Sequence, residues 1–493
     1  MTDLPLPNRF SRFVPLLAWL AAGLAVLACA LKVIGLGYLP PDDALRHAAR
    51  AVTGRPWSEI LVLGDVMKME HNFGWHALLR AIHLGTGAGA DGLVVFSVAS
   101  LFVVVGWSGM VWLRRPEAWL VVLILIAAGT GLPQRFMLGR PFMLTIAALI
   151  TVLMLWQRRG QSAPNWRDCA LMTGVIAVAS FVHGCWYLWA VAVLAFFLAQ
   201  QWRWAFAFAA SWVLGTVIGG IFTGHPIDFT MQALDVALQA FGGHQTQRTM
   251  QSEYQPVQGD CFALILLAGL CGLRALTKPN LPAITRNPAF WLALLGWALG
   301  FKAGRFWLDW GWPALLVLAA WEIQAWLETR VVKDSLHRLA LVVGLAGTLF
   351  LAVTNDINSR WTWNLGTPFL TPDEPELAGW LPEDGGVIYS AEMAVFYRTF
   401  YKNPDAKWRY LLGYEPIFMP REDFQTYESI LANHDNPATF LPWVQKMKPA
   451  DRLIGRTSSG LPAAYRQLEW NSNVGGGLCI GRLPAANSSK PTP

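Results

Sequence analysis

The sequence predicts an α-helical polytopic membrane protein with about eleven transmembrane helices and a smaller, external α/β domain at its C-terminal end. Three observations lead there. Of 493 residues, 54% are hydrophobic, only 14% are charged and 26 are tryptophan, and the mean hydropathy is +0.37, a balance unlike that of a soluble domain. Apolar runs long enough, or nearly long enough, to cross a bilayer recur from residue 13 to residue 354, at about 20 residues per crossing. The basic residues of the short connections fall on alternate sides of those runs. The net charge of +6 then reflects topology, and no basic-aromatic pattern points to a nucleic-acid partner. Six cysteines are scattered with no Cys-x-x-Cys pair, so neither a disulfide framework nor a zinc site is expected.

Arg9 and Arg12 precede the first run, 13–31, which ends in Ala28-Cys29-Ala30. Those residues resemble a signal-peptide cleavage site, but the length of the stretch and the runs that follow favour a retained first helix. A first loop, 37–91, leads to runs at 92–113, 118–132, 142–156, 169–182, 187–199 and 205–222. A second long loop, 223–260, precedes runs at 261–276, 289–301, 313–326 and 339–353. Arg114, Arg115, Arg158, Arg159, Arg167, Arg203, Lys278, Arg286, Arg330, Lys333 and Arg338 then lie on the side of the N-terminus. The positive-inside rule makes that side cytoplasmic. Both long loops and the tail face outward, into the periplasm of a bacterium or the equivalent external space. The division is therefore a membrane domain, 1–354, and an external domain, 355–493.

The first loop carries the densest chemistry. Pro40-Pro41-Asp42-Asp43-Ala44-Leu45-Arg46-His47 follows the first run almost without a spacer. The prolines cannot continue the preceding helix, and an Asp after them caps a new one. On that helix Asp42 and Arg46 are four apart, as are Asp43 and His47, so acid, imidazole and guanidinium share about one turn. A capped, salt-bridged surface helix is the plain alternative. Further on, Asn72, His76, Arg80 and His83 form one polar stripe behind His71, alternatively the lipid-facing side of an interfacial helix.

Three external connections add cations. Arg135 and Arg140 lie in 133–141, His183 in 181–187, and Lys302 and Arg305 in 301–310. Singly these read as snorkelling residues of an aromatic belt; together with the first loop they share one membrane face. Arginine is the side chain suited to a phosphate. In the second loop, His225, Asp228, His244, Arg248 and Glu253 flank or interrupt an amphipathic run at 229–241, with a hinge expected at Gly242-Gly243-His244.

An acidic motif directly after the first span, a first external loop with interfacial helices, seven spans, a long external loop and an external C-terminal domain resemble the GT-C superfamily of membrane glycosyltransferases. The resemblance implies a polyprenyl-phosphate-linked sugar as donor and a lipid, glycan or protein as acceptor. It makes Asp43 or Asp42 the general base, Asp43 first because His47 can orient it. It makes Arg46, His47, His71, His76, Arg80, Arg135, Arg140, His183, Lys302 and Arg305 the residues that hold the substrate phosphate. No Asp-x-Asp follows the third span, which favours a metal-independent reaction without a cofactor and leaves the divalent-metal question open. A bacterial inner-membrane location follows from the same resemblance. The competing functions are a lipid or solute transporter or flippase, an acyl- or phosphoethanolamine-type transferase, and a structural membrane component. A transporter predicts midplane charges and internal repeats, and neither is found.

The tail reads as strands at 385–390, 452–455 and 478–483 and helices at 392–400 and 424–432. Its expected role is to brace the loops or to recognise the acceptor.

Overall fold

A computed structural model describes residues 12–67, 69–128, 132–160, 162–242, 255–257, 261–277, 284–331, 335–367, 369–433 and 436–484. It is mostly helical, with a small sheet near the C-terminal end. Each apolar run read from the sequence is a helix. Five helices, Val14–Gly35, Ala90–Trp112, Phe142–Arg159, Trp202–Ile221 and Leu336–Thr354, are long and apolar enough to cross a membrane. Pro116–Ala127, Trp186–Leu198 and Pro288–Gly300 are shorter apolar helices.

The first helix shows the packing logic. Ala18, Ala22, Ala25 and Cys29 are buried against its neighbours, while Leu16, Leu20, Leu24 and Leu31 point outward. Small residues inside and large apolar residues outside is an arrangement for a lipid solvent, because close backbone approach is what holds helices together there. Helix Trp202–Ile221 repeats it. Its Gly215 and Gly219 lie one turn apart against helix Trp166–Val182, where an added Cβ would meet the Thr173 carbonyl oxygen at 2.8 Å and that of Ala177 at 2.7 Å.

The first helix ends at Gly35, before the prolines, where Gly37 turns left-handed with φ +85°, and Asp42 caps helix Asp43–Thr53, accepting from the Asp43 amide at 2.6 Å. Helix Phe73–Thr86 packs beside it. The polar stripe of that second helix faces inward: Asn72 and His76 are buried. Arg80 and His83, further along the stripe, are half-buried and bond neighbouring backbone carbonyls.

The five-stranded sheet has the order β2-β1-β3-β5-β4, with β1 Val387–Tyr389, β2 Arg409–Tyr410, β3 Arg452–Arg456, β4 Glu469–Asn471 and β5 Leu478–Arg482. Strand β1 is parallel to β2 and β3, and β5 is antiparallel to β3 and β4. Three of these strands and helices Met393–Lys402 and Arg421–Ala432 answer to the sequence reading; β2 and β4, two and three residues long, are too short to show alternation. The first loop joins the sheet's edge, since Val62 N–H donates to the Tyr410 carbonyl at 2.9 Å. Helix Met393–Lys402 packs on helix Asp43–Thr53. The loop is thus held between the helical bundle and the C-terminal sheet and helices.

The close helix contact sets a test of the bundle. Gly219→Val is expected to lower stability by about 1–3 kcal/mol through overpacking, read as a lower thermal transition in detergent. Gly174→Val, where an added Cβ meets nothing within 4 Å, should melt like the wild type; equal effects at both sites would contradict this packing.

Candidate functional site

The site is built around the acid pair. Arg46 Nε donates to Asp43 Oδ1 at 2.8 Å. Arg140, from the connection before helix Phe142–Arg159, places Nη2 2.5 Å from Asp42 Oδ2 and Nε 3.5 Å from Asp43 Oδ2. The neighbouring Gly139 has φ +65°, and a Cβ there would lie 3.1 Å from that of Ala44. A glycine thus lets the chain turn tightly enough to bring Arg140 onto the first loop. The Arg46 guanidinium stands 4.1 Å over the Tyr414 ring of the C-terminal domain, a cation–π contact.

Burial pushes both carboxyls up, but the outcomes differ. For Asp43 the Arg46 and Arg140 guanidiniums outweigh burial and hold it below the ordinary carboxylate range. For Asp42 burial wins over Arg140, with Asp43's charge adding to it, and the carboxyl lies above that range. Asp43 is the more acidic member of the pair.

A second ionic group faces the first. Arg135 Nε donates to Asp309 Oδ1 at 2.8 Å, and Arg305 Nε lies 3.4 Å from Asp309 Oδ2. Arg305 also lies 4.6 Å over the Phe142 ring and 3.2 Å from Cys185 Sγ. Asp309 sits in a π-helical turn, Trp307–Gly311, a local widening that often marks functional positions.

Three histidines, His47, His71 and His76, are held below the usual imidazole range. Burial, then Arg46, brings His71 down to about 3, and its ring lies 6.1 Å from that of His183. His47 Nδ1 is 2.6 Å from His76 Nε2, and burial followed by Arg46 keeps both far below the usual range.

Between these groups lies a half-open cavity of about 740 Å³, its mouth included. Asp43, Arg46, His47, His71, Arg135, Arg140, His183 and Arg305 line it, eight of the twelve residues singled out from the sequence. Asp42 reaches the lining through Arg140, and His76 stands behind His47. The other two lie elsewhere. Arg80 donates to the Ala51 and Val52 carbonyls at 2.8 and 2.6 Å, where a cation satisfies the last turn of helix Asp43–Thr53. Lys302 is exposed and outside the lining.

Other lining residues were not anticipated. Gln232, on helix Pro226–Gly242, accepts from the Met69 amide at 2.8 Å. It lies on the amphipathic run of the second loop, so its signal was present but not specific. Glu415 of the C-terminal domain also lines the cavity, and Glu70 contacts His76; nothing local in the sequence marks either. Of the second loop, Gly243, His244, Arg248 and Glu253 lie outside the described residues, as do Arg9, Lys278 and Lys333. Among the described residues no group of three or more His, Cys, Asp or Glu could hold a metal ion.

Chemically, the cavity offers an ionised carboxylate, neutral imidazoles and four guanidiniums already oriented by acids. A guanidinium has five N–H donors, more than one carboxylate can accept, so an incoming phosphate can share these cations. Arg140→Gln removes the cation common to Asp42 and Asp43 and is expected to cost about 3 kcal/mol at pH 7. Asp43's folded value is depressed, so its stabilisation is present above the ordinary range and lost as pH falls through the folded value. The gap in thermal transition between variant and wild type should therefore narrow below about pH 4, and a constant gap would mean that Arg140 acts by packing alone. Comparison with models of known protein families and with curated proteins finds no match to this chain.

Proposed function

We propose that this protein is a membrane glycosyltransferase of the GT-C type, moving a sugar from a polyprenyl-phosphate donor to an acceptor hydroxyl on the external face of a bacterial inner membrane. The observation that carries the reading is the convergence, on one cavity, of an ionised Asp and four arginines drawn from three connections of the helical bundle. Sugar transfer from a lipid phosphate needs that pair of capacities: a base for the acceptor and cations for the departing phosphate.

In this reading all eleven apolar helices cross the bilayer. The N-terminus is cytoplasmic, and both long loops and the C-terminal domain are external. Support comes from the far end of the bundle, where Arg338 Nε donates to the buried Glu117 at 2.9 Å and Arg115 Nη1 at 3.3 Å. These cations sit at the end of helix Pro116–Ala128 opposite Arg135, on the side that the positive-inside rule makes cytoplasmic.

Asp43 accepts the proton of the acceptor hydroxyl, whose oxygen attacks the sugar's anomeric carbon. The anomeric C–O bond to phosphate breaks, and Arg46, Arg135, Arg140 and Arg305 hold the charge left on the polyprenyl phosphate. His71, held neutral, and His183 are donors or acceptors for sugar hydroxyls. Tyr414 and Glu415 place the C-terminal domain at the acceptor side of the cavity.

The test is consumption of a panel of polyprenyl-phosphate sugars by purified protein in lipid nanodiscs. Asp43→Asn should reduce turnover by about 100-fold or more. Asp42→Asn, whose carboxyl is outside the lining, should lose less. Arg305→Ala should raise the donor concentration for half-maximal rate about tenfold, the scale of one charged hydrogen bond. If the wild type consumes no donor in the panel, or Asp43→Asn matches it, the reading fails.

A further inference from the structure

Behind the cavity wall a chain of three groups runs from Glu70 through His76 to His47. The Glu70 carboxylate is in ion-pair contact with His76 Nδ1, a contact by distance alone, since neither atom has a partner at hydrogen-bond geometry among the described residues. His76 Nε2 is 2.6 Å from His47 Nδ1. His47 lines the cavity, is fully buried, and its Nε2 has no hydrogen-bond partner among the described residues. Each neutral imidazole has one N–H and one bare nitrogen, so the carboxylate at one end fixes the protons along the whole chain. Next to a carboxylate, His76 Nδ1 must carry the hydrogen. Its Nε2 is then bare and accepts from His47 Nδ1–H. His47 Nε2 is bare in turn, and it is the nitrogen of this cavity-lining residue that has no hydrogen-bond partner among the described residues.

We infer that Glu70 and His76 are positioning residues that hold His47 in the tautomer presenting a bare Nε2 to the cavity, and that this nitrogen receives the proton released when the acceptor hydroxyl reacts. The direction of the chain follows from the contacts alone; the source of the proton rests on the transferase reading. Asp43 and His47 are one turn apart on the same helix, so the carboxylate that meets the hydroxyl and the imidazole that takes the proton onward are neighbours. One proton binds at His47 Nε2, both Nδ1–H bonds stay in place, and the imidazolium charge is balanced through the chain by Glu70. The proton returns to solvent through the cavity mouth after the products leave. The neutral resting state agrees with burial and with Arg46, which oppose a standing charge on either ring. The arrangement is that of a Ser-His-Asp triad, in which the acid sets the tautomer of the working histidine, lengthened by one imidazole.

The test is the nitrogen spectrum of full-length protein carrying ¹⁵N-labelled histidine in lipid nanodiscs, with His47 and His76 assigned by loss of their signals in His47→Gln and His76→Gln. In the wild type His47 is expected to be protonated on Nδ1 and bare on Nε2. In Glu70→Leu the chain loses its anchor and most of His47 should convert to the Nε2–H tautomer, while Glu70→Asp, which keeps the carboxylate, should retain the wild-type pattern. Turnover of the donor consumed by the wild type should fall at least about tenfold in Glu70→Leu and recover in Glu70→Asp, with the donor's half-saturation unchanged. A wild-type His47 bearing hydrogen on Nε2, or tautomers or turnover unmoved by Glu70→Leu, overturns this inference and leaves the transferase reading standing. The expected tautomers in a wild type that turns over no donor sustain the direction of the chain and remove the transferase reading together with the proton's assigned source.

Discussion

Two adjacent carboxylates taken out of water cannot stay charged unless cations come with them, and that requirement organises one end of this protein. Arg46 is supplied by the same helix as the acids, but Arg140 arrives from the connection before helix Phe142–Arg159. To bring it close, the first loop must lie against that connection, and Gly139 must take a left-handed turn. Arg46, once fixed by Asp43, presents its face to Tyr414, so the C-terminal domain closes over the loop. The sheet's edge bond from Val62 to Tyr410 completes the same closure with backbone groups.

Across the cavity the principle recurs with the proportions reversed: one buried acid, Asp309, holds two arginines. The guanidiniums are therefore oriented before any ligand arrives. A cation held in place loses less entropy on binding than one recruited from solvent, and it need not reorganise as charge develops. His47 and His71, between the two ionic groups, are kept neutral by burial and by Arg46, so they contribute hydrogen bonds without adding positive charge. In the proposed reaction the acids thus do double duty, keeping the cations oriented and supplying the base.

Much of the candidate site was legible in the sequence, for reasons that can be named. The acid pair was visible because an Asp after prolines begins a helix, and the cavity arginines because the alternation of basic connections groups their loops on one side. Where the reading went too far, the cause is equally specific. Arg80 belongs to the same polar stripe as His76, but its longer side chain reaches the carbonyls at the end of helix Asp43–Thr53 and is used there. Lys302 shares a loop with Arg305 and stays at the surface. Glu70, Tyr414 and Glu415 have no local pattern around them that separates them from any other acid or tyrosine.

The sequence by itself determined the helical class, the positions of the apolar helices, the main strands and helices of the C-terminal domain, and which connections carry charge. Those properties depend on residues within about a turn or a strand of each other, through periodicity, caps and breakers. The tertiary structure alone decided which charges meet. It gave Asp42 and Asp43 opposite shifts although they are neighbours in the chain, because only Asp43 has Arg46 as well as Arg140. It turned a stripe of histidines inward and set Glu70 behind them. Such pairings join segments far apart in the chain, and their energies depend on distance and burial, which folding supplies and residue order does not contain.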